Sequence, residues 1–331
     1  KVSLPELRKL KYDDGLATGA LAAGGTLGIL IPPSVALVIY AIVVEGSIIE
    51  MFQAAVLPGL LAVVFFIFVI WLRVHLNPEL APKAKVLSKI ERNEALWRLV
   101  PVLLIFGTII MGLGIGLFTP TPAAAMGVLV ILLYGFISRF FSQTYLTVLK
   151  LRNSILSTAK TAGMIYFILF AADVLKGFFA RSGLPVALTD LVANSGFEPY
   201  FILVLMLLLL IVLGCFMESL SMILVVVPFF WPTLIELNGG DYVTAADAAF
   251  GMTADQLIIW FGILALVVVE LGLITPPVGL NVFVIKSFVP DTPMSTIFRG
   301  VMPFFAIELL RVALLLLFPT LCLFLPTYLS G

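Results

Sequence analysis

Two tandem prolines interrupt apolar stretches that would otherwise form continuous helices. The pair at 32–33 follows residues 27–31, and the pair at 276–277 follows residues 271–275. Each proline removes a backbone donor, and its ring clashes with the carbonyl group one turn earlier. The broken backbone exposes carbonyl oxygens that need a partner in an apolar environment. A bound Na⁺ is one such partner. For either proline pair considered alone, the alternative to an ion site is a simple helix kink that serves packing.

The composition places these breaks in a membrane protein. Of the 331 residues, 62% are hydrophobic and 11% are charged, and the mean hydropathy is +1.19, whereas a soluble domain carries about a quarter charged residues. Several apolar runs are long enough to cross a hydrocarbon core of about 30 Å. We therefore predict an all-α polytopic protein surrounded by membrane lipids. The net charge of zero gives no indication of a nucleic-acid partner.

The residue types give little support to metal or disulfide chemistry. His75 is the single histidine and lies beside Arg73 in a polar loop, and Cys215 and Cys322 stand far apart in apolar runs. A transition-metal site needs several ligands. We therefore expect no such site, no organic cofactor and no disulfide framework.

Hydropathy predicts a series of apolar segments and one hairpin. The segments lie near 16–44, 52–72, 95–117, 119–137, 154–180, 199–217, 219–237, 256–289 and 297–325. Only a short connection around 214–219 joins the sixth and seventh segments, and Glu218 is its one charged residue. This predicts a re-entrant hairpin whose tip is buried in protein or faces water.

Loop charges predict the orientation of these segments. Loops 73–98 and 138–152 carry several Lys and Arg residues, which places both in the cytoplasm. Loop 238–254 holds Asp241 and Asp247 without Lys or Arg. It is predicted to lie outside.

The two Pro-Pro regions are predicted to be copies in opposite orientations. They lie 244 residues apart, and in each the next span carries a proline near its start, Pro58 or Pro303. A basic segment precedes the first copy and an acidic segment precedes the second, as in an inverted repeat. Because a hairpin and a long helix precede the second copy, we expect roughly a hundred residues with an equivalent hairpin before residue 1.

The motifs resemble the large permease subunit of tripartite ATP-independent periplasmic (TRAP) transporters. The resembling stretches are Gly24-Gly25-Thr26-Leu27-Gly28-Ile29-Leu30-Ile31-Pro32-Pro33-Ser34, Gly116-Leu117-Phe118-Thr119-Pro120-Thr121, Gly214-Cys215-Phe216-Met217-Glu218-Ser219 and Thr275-Pro276-Pro277-Val278-Gly279. Pro122 stands where the family usually has an acidic residue, and we interpret it as a variation at a helix entry. The resemblance implies an inverted-repeat, elevator-type transporter with Na⁺ coupling, a small membrane subunit and a periplasmic substrate-binding protein.

The resemblance and the oxygen chemistry together predict two Na⁺ sites. The first, which this chain supplies only in part, uses Gly24, Gly25, Thr26, Gly28, Ile31, Pro32, Pro33 and Ser34. The second uses Gly214, Met217, Glu218, Ser219, Gly272, Thr275, Pro276, Pro277, Val278 and Gly279.

Several polar residues near the second site have alternative roles. Ser219 and Ser221 could form hydrogen bonds within their own helix, and Glu218 could cap the half-helix that follows it. Glu270 is an acid at membrane depth, where such residues are functional by default. Ser221 and Arg311 are weaker candidates for substrate binding, since an arginine fork matches a carboxylate.

The spacing of Glu308 and Arg311 favours a structural role for Arg311. Residues three apart share one helix face, so this pair is predicted to neutralise itself.

We predict that the segments form two modules. The transport module takes 1–51, with the first broken helix, and 199–289, with the hairpin and the second broken helix. The scaffold takes 52–152, which includes a cytoplasmic linker, together with 153–198 and 290–331.

The predicted function is Na⁺-driven import of a small organic acid, such as a C4-dicarboxylate or sialic acid, across a bacterial inner membrane. A stand-alone Na⁺/organic anion carrier is the nearest alternative. A passive channel is disfavoured because hairpins that meet broken helices close a midplane pocket. An intramembrane enzyme needs a convergent catalytic set, and we see no paired intramembrane aspartates or histidine motif.

Overall fold

A computed structural model describes residues 3–82, 88–114, 117–137, 146–193 and 196–330. Across these ranges the chain is built from α-helices, which confirms the predicted all-α polytopic class. The helices are α1 (Ser3–Lys9), α2 (Asp14–Leu30), α3 (Val35–Val43), α4 (Ile48–Leu76), α5 (Lys89–Gly114), α6 (Pro120–Ile137), α7 (Val148–Ser182), α8 (Leu184–Ala193), α9 (Pro199–Gly214), α10 (Ser219–Val225), α11 (Val227–Asn238), α12 (Ala254–Gly272), α13 (Leu280–Phe288), α14 (Met294–Leu317) and α15 (Thr320–Ser330).

Five helix segments in the described ranges are long and apolar enough to cross a membrane. They are Ile48–Leu76, Pro120–Ile137, Val148–Leu175, Ala254–Gly272 and Met294–Leu317. Two bent pairs pass the same test, α2 with α3 at 47° and α10 with α11 at 51°. The first bend lies at the Pro-Pro pair 32–33, as predicted.

Prolines also explain where the structure departs from the predicted segments. The segment 297–325 divides into α14 and α15 at Pro319, which has no N–H with which to continue the helix. Pro228 follows the bend between α10 and α11, so the second arm of the hairpin is not one straight helix. Helix α8 lies where no apolar segment was predicted. Pro122 lies in the first turn of α6, in agreement with a helix-entry role.

The chain divides into two compact units. One unit spans 84–174, where α5 packs against α6 and a Cβ on Gly112 would lie 2.4 Å from the Phe118 ring. The predicted cytoplasmic loop 138–152 falls partly on residues 138–145, which lie outside the described residues. Residues 83–87 of the predicted linker and Gly116, the first residue of the second resembling stretch, also lie outside them.

The other unit comprises 1–83 and 175–331 and contains both broken helices and the hairpin. Within it α4 and α14, which were assigned to the scaffold, pack against α2 and α12. Packing alone does not separate the two predicted modules, and which helices move together stays a prediction.

In this unit the two Pro-Pro copies run antiparallel, as the loop charges predict. At one end the start of α2 meets the turn after α13, where the Thr292 hydroxyl donates to the Asp14 carboxylate at 2.8 Å. At the other end α3 meets the start of α12, where the Tyr40 hydroxyl donates to the Ile258 carbonyl at 2.8 Å. Each copy therefore begins where the other finishes.

Glycines allow α2 and α14 to touch backbone to backbone. A Cβ on Gly300 would lie 1.9 Å from the Gly15 carbonyl oxygen, and a Cβ on Gly19 would lie 2.3 Å from Gly300. Such close approach requires small residues on both helices. The Arg73 side chain reaches the same crossing and donates to the Gly300 carbonyl at 3.2 Å.

Candidate functional site

The second Pro-Pro break lies between α12 and α13 and exposes backbone oxygens. Helix α12 ends at Gly272, and α13 begins only at Leu280, after Gly279 has turned the chain at φ +62°. Among the described residues, no backbone N–H bonds the carbonyl groups of residues 274, 275, 277 and 278. In a membrane interior these oxygens need another partner.

The hairpin tip packs directly against this break. A Cβ on Gly272 would lie 2.6 Å from the Gly214 Cα, so the last residue of α9 and the last residue of α12 touch through their backbones. The Cys215 thiol beside them donates to the Pro276 carbonyl at 3.6 Å. The structure therefore brings together the two segments that were predicted to form the second Na⁺ site.

A buried hydrogen bond fixes the start of α10 to α12. The Ser219 hydroxyl donates to the Glu270 Oε1 atom at 2.7 Å, and both residues are at most 3% exposed. Ser219 therefore does not bond back within its own helix. The hydrogen bond between Ser219 and Glu270 therefore joins the hairpin to α12, as the contact between Gly214 and Gly272 does.

The other hydroxyl and acidic residues of the second site have separate surroundings. The Thr275 hydroxyl donates to the Leu271 carbonyl at 2.6 Å, which leaves its oxygen lone pairs available at the break. Glu218 is exposed and stands at the N-cap of α10 without a capping hydrogen bond. The Ser221 hydroxyl reaches Glu218 Oε2 at 3.5 Å, and Met217 is half-buried at the tip. Pro276, Pro277 and Val278 form the break itself, where the Pro276–Pro277 bond is cis.

The first Pro-Pro break has a more open environment. Pro32 and Pro33 are also joined by a cis bond, and Ser34 caps α3 by accepting from the Leu37 N–H at 3.4 Å. The Ser34 hydroxyl donates to the Ile29 carbonyl. Thr26 is buried and its hydroxyl donates to the Ala23 carbonyl at 2.7 Å. The remaining predicted positions, Gly24, Gly25, Gly28 and Ile31, are exposed.

Asn281 is a residue near both breaks that the sequence reasoning missed. Its backbone N–H donates to the Leu273 carbonyl at 3.0 Å. Its side-chain amide lies 3.8 Å from the position of a Cβ on Gly25, so it points from the second copy toward the first. A polar residue two positions after Gly279 in an apolar run was the signal that could have indicated it.

Arg311, a weaker substrate candidate, lies in a buried ion pair. Its guanidinium donates to Glu308, as the spacing predicts, and to the Pro58 carbonyl at 3.2 Å. Both charged residues are 2% exposed. These contacts join α14 to the proline-containing turn of α4.

Polar contacts at the edge of the same unit connect the two copies. Arg8 forms two hydrogen bonds to Asp14 at 2.9 and 2.7 Å and donates to the Thr292 hydroxyl at 2.6 Å. The bond to the Asp14 carboxylate raises the pKa of the Arg8 guanidinium above its ordinary value.

Among the described residues, His, Cys, Asp and Glu form no group of three or more with metal-ligand spacing.

Comparison with known proteins identifies relatives over nearly the whole chain. A family model described as the DctM component of the tripartite ATP-independent periplasmic transporter matches residues 1–321. The C4-dicarboxylate TRAP transporter large permease protein DctM of Pseudomonas aeruginosa is 32% identical over 322 residues, which cover 96% of this chain and 69% of the relative.

Two further relatives carry other names. The sialic acid TRAP transporter large permease protein SiaM of Vibrio cholerae is 32% identical over 337 residues, which cover 100% of this chain and 72% of the relative. The isethionate TRAP transporter permease protein DctMQ of Oleidesulfovibrio alaskensis is 25% identical and covers 93% of this chain but 45% of its own length.

Proposed function

The chain belongs to the DctM component family of tripartite ATP-independent periplasmic transporters, and from this premise we propose that it is the large permease of a Na⁺-driven importer of a small organic acid. It is a multi-pass protein of the inner membrane. Two of the relatives are named for a C4-dicarboxylate and for sialic acid, and both substrates are carboxylates. We take a carboxylate as the substrate class of this chain as well.

The observation that carries the proposal is the contact between the hairpin tip and the second break. The carbonyl oxygens of residues 274, 275, 277 and 278, which no backbone N–H of the described residues bonds, lie at the break with the Thr275 hydroxyl, and Gly214 packs against its first turn. A cluster of carbonyl and hydroxyl oxygens within a membrane protein suits a hard cation better than a soft metal. The half-helix C-terminus of α12 adds negative potential that favours a cation. Na⁺ binding here would link the hairpin to the broken helix.

The proposed partners are a small membrane subunit and a periplasmic substrate-binding protein. The isethionate relative is named DctMQ and is about twice as long as the part that this chain matches, which supports a second component beside the permease. In the proposed mechanism, the hairpin and the two broken helices move together against the remaining helices and carry the acid across as an elevator. The antiparallel arrangement of the two copies supports alternating access of this kind.

Uptake by reconstituted protein tests this proposal. The permease is placed in liposomes with its small subunit, the cognate binding protein is added outside, and a thermal-shift screen of that binding protein supplies the substrate. We expect saturable uptake that stops when a sodium ionophore collapses the Na⁺ gradient. Uptake that persists without the gradient would indicate a channel, and uptake of free substrate without the binding protein would indicate a stand-alone carrier.

A further inference from the structure

A cleft lies where the last helix, α15, faces the start of α12. It has a volume of about 610 Å³ and is lined by the end of the loop before α12, by the first turn of α12 and by one face of α15. Clefts that bind a ligand ordinarily measure about 300–1,000 Å³. Its lining includes neither Pro-Pro break nor the hairpin tip, so it is separate from the proposed Na⁺ site. We call it the α15 cleft.

The α15 cleft lies at the depth where two spanning helices end. Helices α12 and α14 are each long and apolar enough to cross a membrane, and the cleft lies at the start of the first and just beyond the end of the second. The Trp260 indole N–H donates to the Leu315 carbonyl at 2.8 Å and joins these two ends. At this depth the hydrocarbon core of a bilayer gives way to the headgroup region. A molecule bound here therefore has apolar and polar surroundings at once.

Apolar side chains form two walls of the cleft. Phe250 and Met252 belong to the loop side and are 4% and 2% exposed. Leu323 and Phe324 belong to the α15 side, where the Phe324 ring stacks on the ring of Tyr328 with 6.0 Å between centroids. Phe324 is 57% exposed, so this wall continues into the outer apolar surface of the protein. A hydrocarbon chain of the bilayer can therefore enter the cleft without crossing water.

Four neutral polar groups line the same cleft. The hydroxyl groups of Thr320, Thr327 and Tyr328 form no hydrogen bond with any residue that the structure describes. The Gln256 Oε1 atom accepts from the Thr253 N–H at 3.1 Å, which leaves the Gln256 NH2 group as a donor. All four groups can donate a hydrogen bond and none carries a charge. They match a molecule that presents oxygen acceptors beside an apolar body.

The charges that border the cleft are acidic. Loop 238–254, α12 and α15 contain no Lys or Arg. Asp255 stands in the first turn of α12, and Glu50 on α4 interacts with it electrostatically. Arg311 on α14 neighbours Cys322, which lies on the buried face of α15 and not in the lining. Sites for anionic lipid headgroups are built from Lys and Arg, whereas this border repels an anion and attracts an ammonium group.

We propose that the α15 cleft binds one glycerophospholipid whose headgroup carries an ammonium group and no net charge, namely phosphatidylethanolamine. One acyl chain lies between the apolar walls, and the ester and phosphate oxygens accept hydrogen bonds from the four neutral donors. The ammonium group lies on the side of Asp255. The bound lipid joins α15 to the loop before α12. This site goes beyond the proposed transport function and depends neither on Na⁺ coupling nor on the substrate class.

Native mass spectrometry of the delipidated protein tests the proposal. The protein in detergent is incubated with equal amounts of dioleoyl-phosphatidylethanolamine and dioleoyl-phosphatidylglycerol, and the lipid adducts are measured. We expect one adduct, with the ethanolamine lipid bound roughly fivefold more tightly than the glycerol lipid, which is the effect of one charge near a membrane surface. Absence of an adduct, equal binding of the two lipids or a preference for the glycerol lipid would overturn the proposal.

Two variants of α15 locate the lipid. Thr327→Trp places an indole ring in the cleft and should abolish the adduct. Leu329→Trp is the matched control and should retain it, because Leu329 is 45% exposed on the same helix and does not line the cleft. A phosphatidylethanolamine with a diazirine in its acyl chain should label residues 319–328 in the wild type and in the control but not in Thr327→Trp. An adduct that survives in Thr327→Trp, or labelling confined to other segments, would contradict the assignment.

A double variant removes hydrogen bonds without filling the cleft, and it decides the question if Thr327→Trp fails to fold. Thr320→Val with Thr327→Val removes two hydroxyl groups at nearly constant volume and should weaken binding of the ethanolamine lipid roughly fivefold or more. Unchanged binding would overturn the proposal. A dimer of this chain or a copurified protein that Thr327→Trp releases, in place of a lipid adduct, would assign the cleft to a protein partner and would overturn it as well.

Discussion

Around the second Pro-Pro break the described residues close over the exposed backbone, whereas around the first they leave it open. Gly272 touches the backbone of Gly214, so no side chain fits between α12 and the hairpin. Gly28 is the equivalent residue of the first copy, and no atom of the described residues lies within 4 Å of a Cβ placed on it. The same motif therefore occurs in two environments.

This difference shows that the prolines break the helix but do not by themselves build a site. Both copies expose carbonyl oxygens, since the prolines remove N–H groups in each. Only the second copy has a hairpin packed on it within the described residues. A cation at the second break would be held between two segments, and this is why the proposed function relies on that copy.

The two copies also differ in buried charge. Glu270 corresponds to Thr26 in the first copy, and Thr26 satisfies its hydroxyl locally by donating to the Ala23 carbonyl. Glu308 and Arg311 correspond to Val64 and Ile67, which are 59% and 62% exposed. The second copy thus depends on an ion pair where the first presents an apolar surface to its surroundings.

The largest effect is expected from breaking that ion pair. Arg311→Met leaves Glu308 buried without its cation and should destabilise the protein by about 3–5 kcal/mol. The matched change in the first copy, Ile67→Met, replaces an exposed apolar residue by another and should have little effect. Thermal unfolding in detergent, followed by size-exclusion chromatography, measures both.

A double variant separates lost charge from lost volume. Glu308→Leu with Arg311→Met removes both charges and should recover most of the stability that Arg311→Met loses. If the double variant is no more stable than the single one, the guanidinium acts through its packing and its bond to the Pro58 carbonyl rather than through Glu308.

A second test compares equivalent glycines of the two copies. Gly272→Ala places a Cβ 2.6 Å from the Gly214 Cα, and because backbone cannot yield as a flexible side chain does, it should cost roughly 1–3 kcal/mol. Gly28→Ala meets open space inside a helix and should be neutral or stabilising by up to about 1 kcal/mol. Thermal unfolding of the two variants side by side gives the comparison. Equal effects of the two substitutions would show that the hairpin packs on Gly272 no more tightly than neighbouring residues pack on Gly28.

Local sequence signals predicted much of this architecture. The tandem prolines predicted both breaks, and the opposite loop charges predicted the antiparallel copies. The i, i+3 spacing of Glu308 and Arg311 predicted their pairing, because helix geometry alone brings such residues together. Contacts within one helix turn can be predicted in this way since they depend on few residues.

Contacts between distant segments were harder to predict. Ser219 and Glu270 lie 51 residues apart, and only the packing of the hairpin on α12 brings the hydroxyl to the carboxylate. From the sequence alone, a hydrogen bond within its own helix was an equal alternative to a role of Ser219 in the Na⁺ site. Pro319 was a visible signal for the end of α14, yet the continuous hydropathy on both sides concealed it.

The cap of α3 provides a smaller test of how the first copy is held. Ser34 accepts from the Leu37 N–H, whereas α13 of the second copy has Gly279 at its N-cap and no side-chain cap. Ser34→Ala should therefore destabilise the protein by about 0.5–2 kcal/mol, and Ser34→Asn, which retains a cap, by much less. Thermal unfolding distinguishes them. If both lose the same stability, the bond to the Ile29 carbonyl is the more important contact.

The smallest effect on stability, and the most specific effect on function, is expected from Thr275→Val. Its counterpart in the first copy is Ile31, so only the second break offers a hydroxyl at this position. Loss of one oxygen ligand worth about 0.5–1.5 kcal/mol should weaken Na⁺ binding by a factor of roughly 2 to 13 while the protein stays folded. The Na⁺ concentration that half-saturates uptake measures this, and Thr275→Ser should restore the wild-type value because it keeps the oxygen. An unchanged Na⁺ response in Thr275→Val would show that this hydroxyl does not bind Na⁺. The backbone carbonyl groups would then be the oxygen ligands that the break supplies to the proposed site.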